Sequence, residues 1–250
     1  LIDRSFIFIP GVGERTERKL WEDGVDSWSA FLGMDRAGSI KGARKELADS
    51  MIMEARRRLE LGDCSYFHDL IPSRETWRLW PTFGGNAAFL DIETTGTWRT
   101  SHITVVGVHD SRGYRIALRG RNLSTSSIKE MLEDASLLVT FNGLSFDVPI
   151  IEHHFPGSVP KVPHLDLLHL ARRLGFRGGL KALELQLGLS RPQDVLGMSG
   201  EDAVRLWRLY ERDGNTNALR LLLKYNMEDI KNLRPIAERL VEMMKDRVMG

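Results

Sequence analysis

Cysteine is almost missing from the 250-residue sequence, with Cys64 standing alone. A single thiol closes no internal disulfide and has no second cysteine with which to build a zinc site. This excludes a disulfide-stapled secreted scaffold and fits a reducing, cytoplasmic setting. Cys64 has no nucleophile signature around it and reads as a small residue at a helix end. Long apolar runs are missing too: none reaches the ~20 residues of a membrane span. The opening LIDRSFIFIP is apolar for only four consecutive residues, too few for a signal-peptide core. Charge of one sign is also lacking, since 35 Lys plus Arg meet 34 Asp plus Glu for a formal charge of +1. That excludes a globally basic nucleic-acid coat, so any contact with nucleic acid must come from a local patch. There is no internal repeat of significant length.

What is present is an ordinary globular composition, 42% hydrophobic and 28% charged, long enough for one large domain or two modest ones. Arg outnumbers Lys 26 to 9. Arg suits bidentate phosphate contacts, although genome base bias or thermal adaptation accounts for the excess equally well. Residues 1–80 read as a helical N-terminal region and 81–250 as an α/β domain. In the first, Ser5–Ile9 reads as a short extended apolar stretch before Pro10-Gly11-Val12-Gly13. Helices are expected at Glu14–Asp23, at Asp26–Leu32 capped by Asp26 or Ser27, and from about Ile40 to Leu61. Leu47, Met51, Ala55, Arg58 and Leu59 mark the packed stripe of that long helix, with Met51 and Met53 as core filler. Trp21 and Trp28 are also expected in the core. Pro72, Pro81 and Gly84-Gly85 punctuate Ile71–Asn86, which reads as a linker.

From Ala87 the pattern changes. Strands are expected at Ala87–Ile92, His102–His109, Tyr114–Leu118, Leu137–Phe141 and Val162–Asp166. Helices are expected at Ser127–Asp134, at Asp147–His154 with Ser145 as cap, at Leu167–Leu174, and through the C-terminal part. A meander followed by alternating strands and helices gives an α/β domain with a mixed sheet.

The chemistry centres on FLDIETTG. Asp91 and Glu93 are two apart on a strand, so both side chains leave one face. Phe89, Leu90 and Ile92 make that strand apolar, and acids there are costly unless a cation neutralises them. Hard oxygen ligands suit magnesium or manganese. A bare D-x-E pair can equally be solvated or paired with Arg; the apolar flank and the Thr94-Thr95-Gly96 turn strengthen the metal reading. In LLVTFNGLSFDVPII, Asp147 falls in a first helical turn, where the helix dipole alone is reason enough for an acid. The same geometry aims it toward the end of the Asp91 strand. Phe146 can stack on a base or simply pack. In KYNMEDIKNL, Tyr225 and Asp229 are four apart on one inward helix face, a spacing that a packed Tyr beside a capping or salt-bridged Asp gives equally well. Asp166 reads as a helix N-cap or a supporting carboxylate. The seven histidines show no H-x-x-x-H metal spacing.

Taken in order, D-x-E, D and Y-x3-D resemble the DEDD superfamily of 3′–5′ exonucleases, with a ribonuclease H-like fold. The third motif points to the DEDDy subclass. The proofreading exonucleases of family A and B DNA polymerases share this pattern, but 250 residues leave no room for a polymerase. The PSRETWRLW lead-in to FLDIETTG resembles more closely the YprB-type ribonuclease H-like family, over roughly residues 71–235. The resemblance implies a mixed sheet flanked by helices behind a small helical domain. It implies a two-metal 3′–5′ exonuclease, using Mg²⁺ or Mn²⁺, that acts on single-stranded DNA or RNA and releases nucleoside 5′-monophosphates. Asp91, Glu93 and Asp229 would hold one ion, Asp91 and Asp147 a second, and Tyr225 would orient the attacking water. Thr94, Asn142 and Phe146 would lie near the terminal nucleotides. Rival readings are a catalytically silent nucleic-acid-binding core and a structure-selective endonuclease. Residues 9–32 resemble the hairpin and second helix of a helix-hairpin-helix unit, with Gly11, Gly13 and Arg15 near a phosphate. Against this, the unit's first helix is missing or supplied elsewhere, and P-G-V-G is also an ordinary turn before a helix.

Overall fold

The computed structural model describes residues 1–96 and 101–249. It divides into two compact units, one of Leu1–Gly85 with Lys161–Pro163 and one of Asn86–Pro160 with His164–Gly250.

The first unit is helical. It contains α1 (Glu14–Glu22), α2 (Trp28–Leu32), α3 (Ala43–Glu60), α4 (Cys64–Leu70) and the short α5 (Trp80–Phe83), with 3₁₀ turns at Ile2–Arg4 and Ser73–Leu79. Ser27 caps α2 by accepting from the Ala30 amide, and Cys64 opens α4. Four expectations are corrected here. Ser5–Ile9 is no strand; after an extended Ser5 it is buried and turns from Ile7 on, and its Ser5 hydroxyl and Phe6 amide donate to Glu17. In α3 the buried positions are Lys45, Ala48, Ile52 and Ala55, while Leu47 and Met53 are exposed. Ala55 is buried as expected, but Ala48 and Ile52 take the inward places expected of Leu47 and Met51, and Met53 is not core. Trp28 is buried, but Trp21 is only half-buried and donates its indole N–H to the Arg4 carbonyl.

Nor is Ile71–Asn86 a linker. Glu75, Trp77, Arg78 and Leu79 are buried in it. Arg78 bridges Glu17 Oε2 at 2.8 Å and Glu75 Oε2 at 2.7 Å, all with side chains at most 1% exposed. Two carboxylates around one guanidinium satisfy a charge that could not otherwise be buried.

The second unit is a five-stranded mixed sheet in the order β3-β2-β1-β4-β5. Its strands are β1 (Ala87–Thr94), β2 (Ile103–Asp110), β3 (Gly113–Leu118), β4 (Leu137–Thr140) and β5 (His164–Asp166). β1 runs antiparallel to β2 and parallel to β4, and β4 runs parallel to β5. The helices are α6 (Thr125–Leu132), α7 (Asp147–His154), α8 (Leu167–Arg173), α9 (Leu180–Gln186), α10 (Gly200–Asp213), α11 (Thr216–Lys231) and α12 (Leu233–Met249). β1 is central and buried almost throughout, which explains its apolar run. Helix α11 packs on β1 and β2. Around it Val105, Leu118, Val195, Ala203, Trp207, Leu222 and Tyr225 form one apolar cluster. Ser145 does not cap α7; Phe146 occupies the cap position without a side-chain bond. No described helix is long and apolar enough to cross a membrane.

Candidate active site

Strand pleating does what the D-x-E spacing requires. Asp91 and Glu93 stand opposite Gly107 and Val105 in the β1–β2 register, on the face covered by α11. Asp229, on α11, completes the group: one carboxylate oxygen from each of Asp91, Glu93 and Asp229 lies within 4.8 Å of the others. Asp147 adjoins it through the backbone, its Oδ1 accepting from the Ile92 amide at 3.0 Å, between the first two acids. The structure thus brings the four sequence-predicted carboxylates to the middle of the sheet. Three share a ligand-sized space, and the fourth is tied to the strand that carries two of them.

Close approach of α11 depends on Gly107. A Cβ there would lie 1.9 Å from Asn226 Oδ1 and 2.6 Å from Ile230 Cδ1. The space left by hydrogen admits Asn226, whose Nδ2 donates to Asp91 Oδ2 at 2.7 Å while its Oδ1 accepts from the Tyr114 hydroxyl at 2.8 Å. Asp91 is thereby oriented by a chain running back to β3.

The carboxylates are strongly perturbed. Burial, then the charges of Asp147, Asp229 and Glu93, hold Asp91 well above the usual carboxylate range. Burial and the Asp229 charge do the same to Glu93. Burial pushes Asp147 up to about 7, against the hydrogen bond from Ile92. Asp229 is also raised by burial, opposed by the Arg191 guanidinium. Glu93 Oε1 is buried without a hydrogen-bond partner. Clustered like charges, hard oxygen donors and an unsatisfied buried oxygen are what a divalent cation would relieve, and the residues present fit one.

Tyr225 is buried beside the acids. Its hydroxyl accepts from Lys181 Nζ at 3.1 Å. Burial and then the Asp229 charge raise its pKa above that of an ordinary phenol, so it stays protonated. Burial lowers that of Lys181.

Sequence reading missed three cationic or polar partners: Lys181, Asn226 and Arg191. Arg191 is 4% exposed and ion-pairs with Asp229 through Nη1. Its other nitrogens grip Glu184 at 2.6 and 2.7 Å. Glu184 also accepts from Asn232 Nδ2 at 2.8 Å. Arg191 sits in the irregular segment between α9 and α10, where no periodicity announces it. Asn226, adjacent to Tyr225, was open to inspection in the third motif.

A cleft of ≈ 590 Å³ opens onto Asp91, Glu93, Asp229 and Tyr225. Ile92–Gly96 and Phe146 line one part of it, and α10 lines another. Thr94 and Phe146 therefore line the cleft. Thr94 sits at a β-bulge and bonds through its hydroxyl to the Gly96 carbonyl. Asn142 does not line the cleft. It turns the chain before α7 with φ 67°, its amide donating to Asp166 Oδ1 at 3.0 Å. Asp166 also accepts from the Leu144 amide at 3.1 Å and caps α8 through the Leu168 amide at 3.0 Å. Gly11, Gly13 and Arg15 lie in the first unit. Gly11 needs its positive φ of 75°, whereas Gly13 is an extended N-cap that any residue could adopt. Arg15, Arg18 and Lys19 border a shallow depression with Glu14 and Glu22.

Residues 88–241 match the family model of the RNase H superfamily. The chain belongs to the RNase H superfamily. Its fold is also similar to that of a family B DNA polymerase from the hyperthermophilic archaeon Pyrobaculum calidifontis, with a TM-score of 0.51 at 14% identity. That similarity covers 62% of this chain and 24% of the polymerase, so the chain spans about a quarter of the larger protein. No curated protein matches the sequence. The RNase H-like mixed sheet expected from the motifs is present, with helices before and around it.

Proposed function

We propose that this member of the RNase H superfamily is a DEDDy-type, YprB-like 3′–5′ exonuclease acting on single-stranded DNA or RNA. The observation that carries the reading is the convergence of Asp91, Glu93 and Asp229 within 4.8 Å, on the floor of a cleft large enough for a nucleotide. Asp91, Glu93 and Asp229 would hold one Mg²⁺ or Mn²⁺ ion, and Asp91 with Asp147 a second. Such ions stabilise the charge that develops on the attacking and leaving oxygens of a phosphodiester.

The chain's own groups do the rest. Tyr225, kept protonated, donates or accepts a hydrogen bond to orient the water and is no general base. Asn226 fixes the Asp91 carboxylate. Thr94 and Phe146, both on the cleft, would flank the terminal nucleotide. In the first unit, the Gly11–Gly13 turn and Arg15 would contact a backbone phosphate, in the manner of a helix-hairpin-helix. The lone cysteine suits work in the cytoplasm.

The test compares linear and circular single strands with Mg²⁺ or Mn²⁺. The linear strand should lose nucleoside 5′-monophosphates from its 3′ end, and the circle should survive. Cutting of the circle would make the enzyme an endonuclease. Tight binding without cleavage of either would make it a silent core. An Asp91→Ala protein as active as wild type would overturn the site assignment.

A further inference from the structure

Helix α10 carries two stripes. Ala203 and Trp207 are buried in the apolar cluster, with Leu206 and Tyr210 packed partly against it. Glu201, Val204, Arg205 and Arg208 form the other, at i, i+3, i+4 and i+7, and all four line the cleft that holds the carboxylates. Packing does not require charge there. Arg205 is 74% exposed and among the described residues ion-pairs with Asp202 alone, at 3.7 Å. Arg208 is exposed and makes no ion pair among the described residues. Several exposed cations elsewhere in this unit are neutralised, among them Arg112 by Asp110, Arg212 by Asp213 and Lys224 by Asp194. Asp202 is already engaged at the helix start, accepting from the Ser199 amide and hydroxyl.

From this stripe we infer a phosphate-binding subsite on α10, in which Arg205 and Arg208 grip successive backbone phosphates of one single strand whose end lies at the carboxylates. The inference rests on the nuclease reading above and deepens it by saying how the strand is held. Residues three apart on a helix have Cβ atoms about 5–6 Å apart, which lets two guanidinium groups meet neighbouring phosphates of one strand. Guanidinium forks suit phosphate oxygens bidentately. Val204, between them and Glu201, offers an apolar surface to a base or sugar, as does Phe146 across the cleft. Glu201 repels phosphate, so the backbone is confined to the Arg205–Arg208 half of the helix. The arrangement also answers the problem posed by a net charge of +1: the attraction is local.

The test is binding of a single-stranded oligonucleotide, by fluorescence anisotropy in chelator, across a series of salt concentrations. Without divalent ions there is no hydrolysis, so the measurement is independent of catalysis. An Arg205→Ala/Arg208→Ala protein should bind at least tenfold more weakly. Its plot of log affinity against log salt should be shallower by about 1.4, since each phosphate contact on a single strand contributes about 0.7. Glu201→Gln should move affinity the other way, tightening binding. An unchanged slope in the double variant, or weaker binding by Glu201→Gln, overturns the subsite while leaving the nuclease reading untouched. Expected slopes together with no cleavage in Mg²⁺ or Mn²⁺ would uphold the subsite and sink the nuclease reading.

Discussion

Replacing Arg191 with Met keeps most of the side chain's apolar stem and removes its charge. Two carboxylates then lose a cation: Glu184, whose side chain is 3% exposed, and Asp229, at 11%. Among the described residues, Glu184 then retains the Asn232 amide alone, at 2.8 Å. Breaking a buried ion pair from one side costs about 3–5 kcal/mol, because the remaining charge stays desolvated. For a domain of this size, each kcal/mol moves the melting temperature by about 2–4 °C. In chelator, Arg191→Met should therefore melt roughly 6–20 °C below wild type. Two further measurements separate charge from lost packing. Glu184→Gln in the Arg191→Met background should recover at least half the loss, since a neutral amide can still accept from Asn232. Saturating Mg²⁺ should recover part of it as well, by giving Asp229 a new counter-charge while leaving Glu184 unpaired. A melting temperature within a degree or two of wild type, or no recovery from Glu184→Gln, would refute the view that Arg191 balances buried charge.

Three other expectations concern the same site. In the metal-free protein, Asp147 keeps its proton to about pH 7, whereas the unfolded chain releases it near 4. The folded state binds more protons between those values, so stability should fall as pH rises through the window and level off above it. Asp91 and Glu93, also raised, push the same way. Melting curves in chelator at about pH 5 and about pH 8 check this; equal curves would contradict it, and saturating Mg²⁺ should reduce or reverse the fall because the ion needs the carboxylates deprotonated. Gly107→Ala drives a methyl into Asn226 and Ile230. It should cost about 1–3 kcal/mol in denaturant unfolding and lower activity by displacing α11. Asp166→Asn leaves one oxygen to serve the amides of Asn142, Leu144 and Leu168. A loss of about 1–3 kcal/mol is expected from the unsatisfied amide, with slowed hydrolysis as the Asn142 turn relaxes and Asp147 shifts.

The site was legible where its spacing follows from local geometry. Two acids alternating on an apolar strand must share a face, and four residues on a helix must share another; Asp91, Glu93 and Asp229 meet for those reasons. Asp147 was legible from its strand–turn–helix context. The sheet was legible because β1 is an apolar run, buried almost throughout, that ends just before Thr95-Gly96. What escaped was set by tertiary contact alone. Arg191 lies on an irregular segment, and only the folded chain brings it to Glu184 and Asp229. Pro72, Pro81 and the two glycines suggest a linker, yet Arg78 is buried there because Glu17, distant in sequence, pairs with it. The outer stripe of α10 obeys ordinary helical spacing, but its significance appears only when the cleft puts it beside the acids. In α3, one face carries Lys45, Ala48, Ile52 and Ala55 inward, and small or charged residues concealed that face behind more conspicuous methionines and leucines.

The most direct measurement is a crystal structure with Mn²⁺ and a nucleoside 5′-monophosphate, read from the anomalous signal of manganese. The expected result is manganese held by Asp91, Glu93 and Asp229, with a second ion held by Asp91 and Asp147. Saturating Mn²⁺ with no anomalous peak among these four carboxylates would contradict the proposed chemistry.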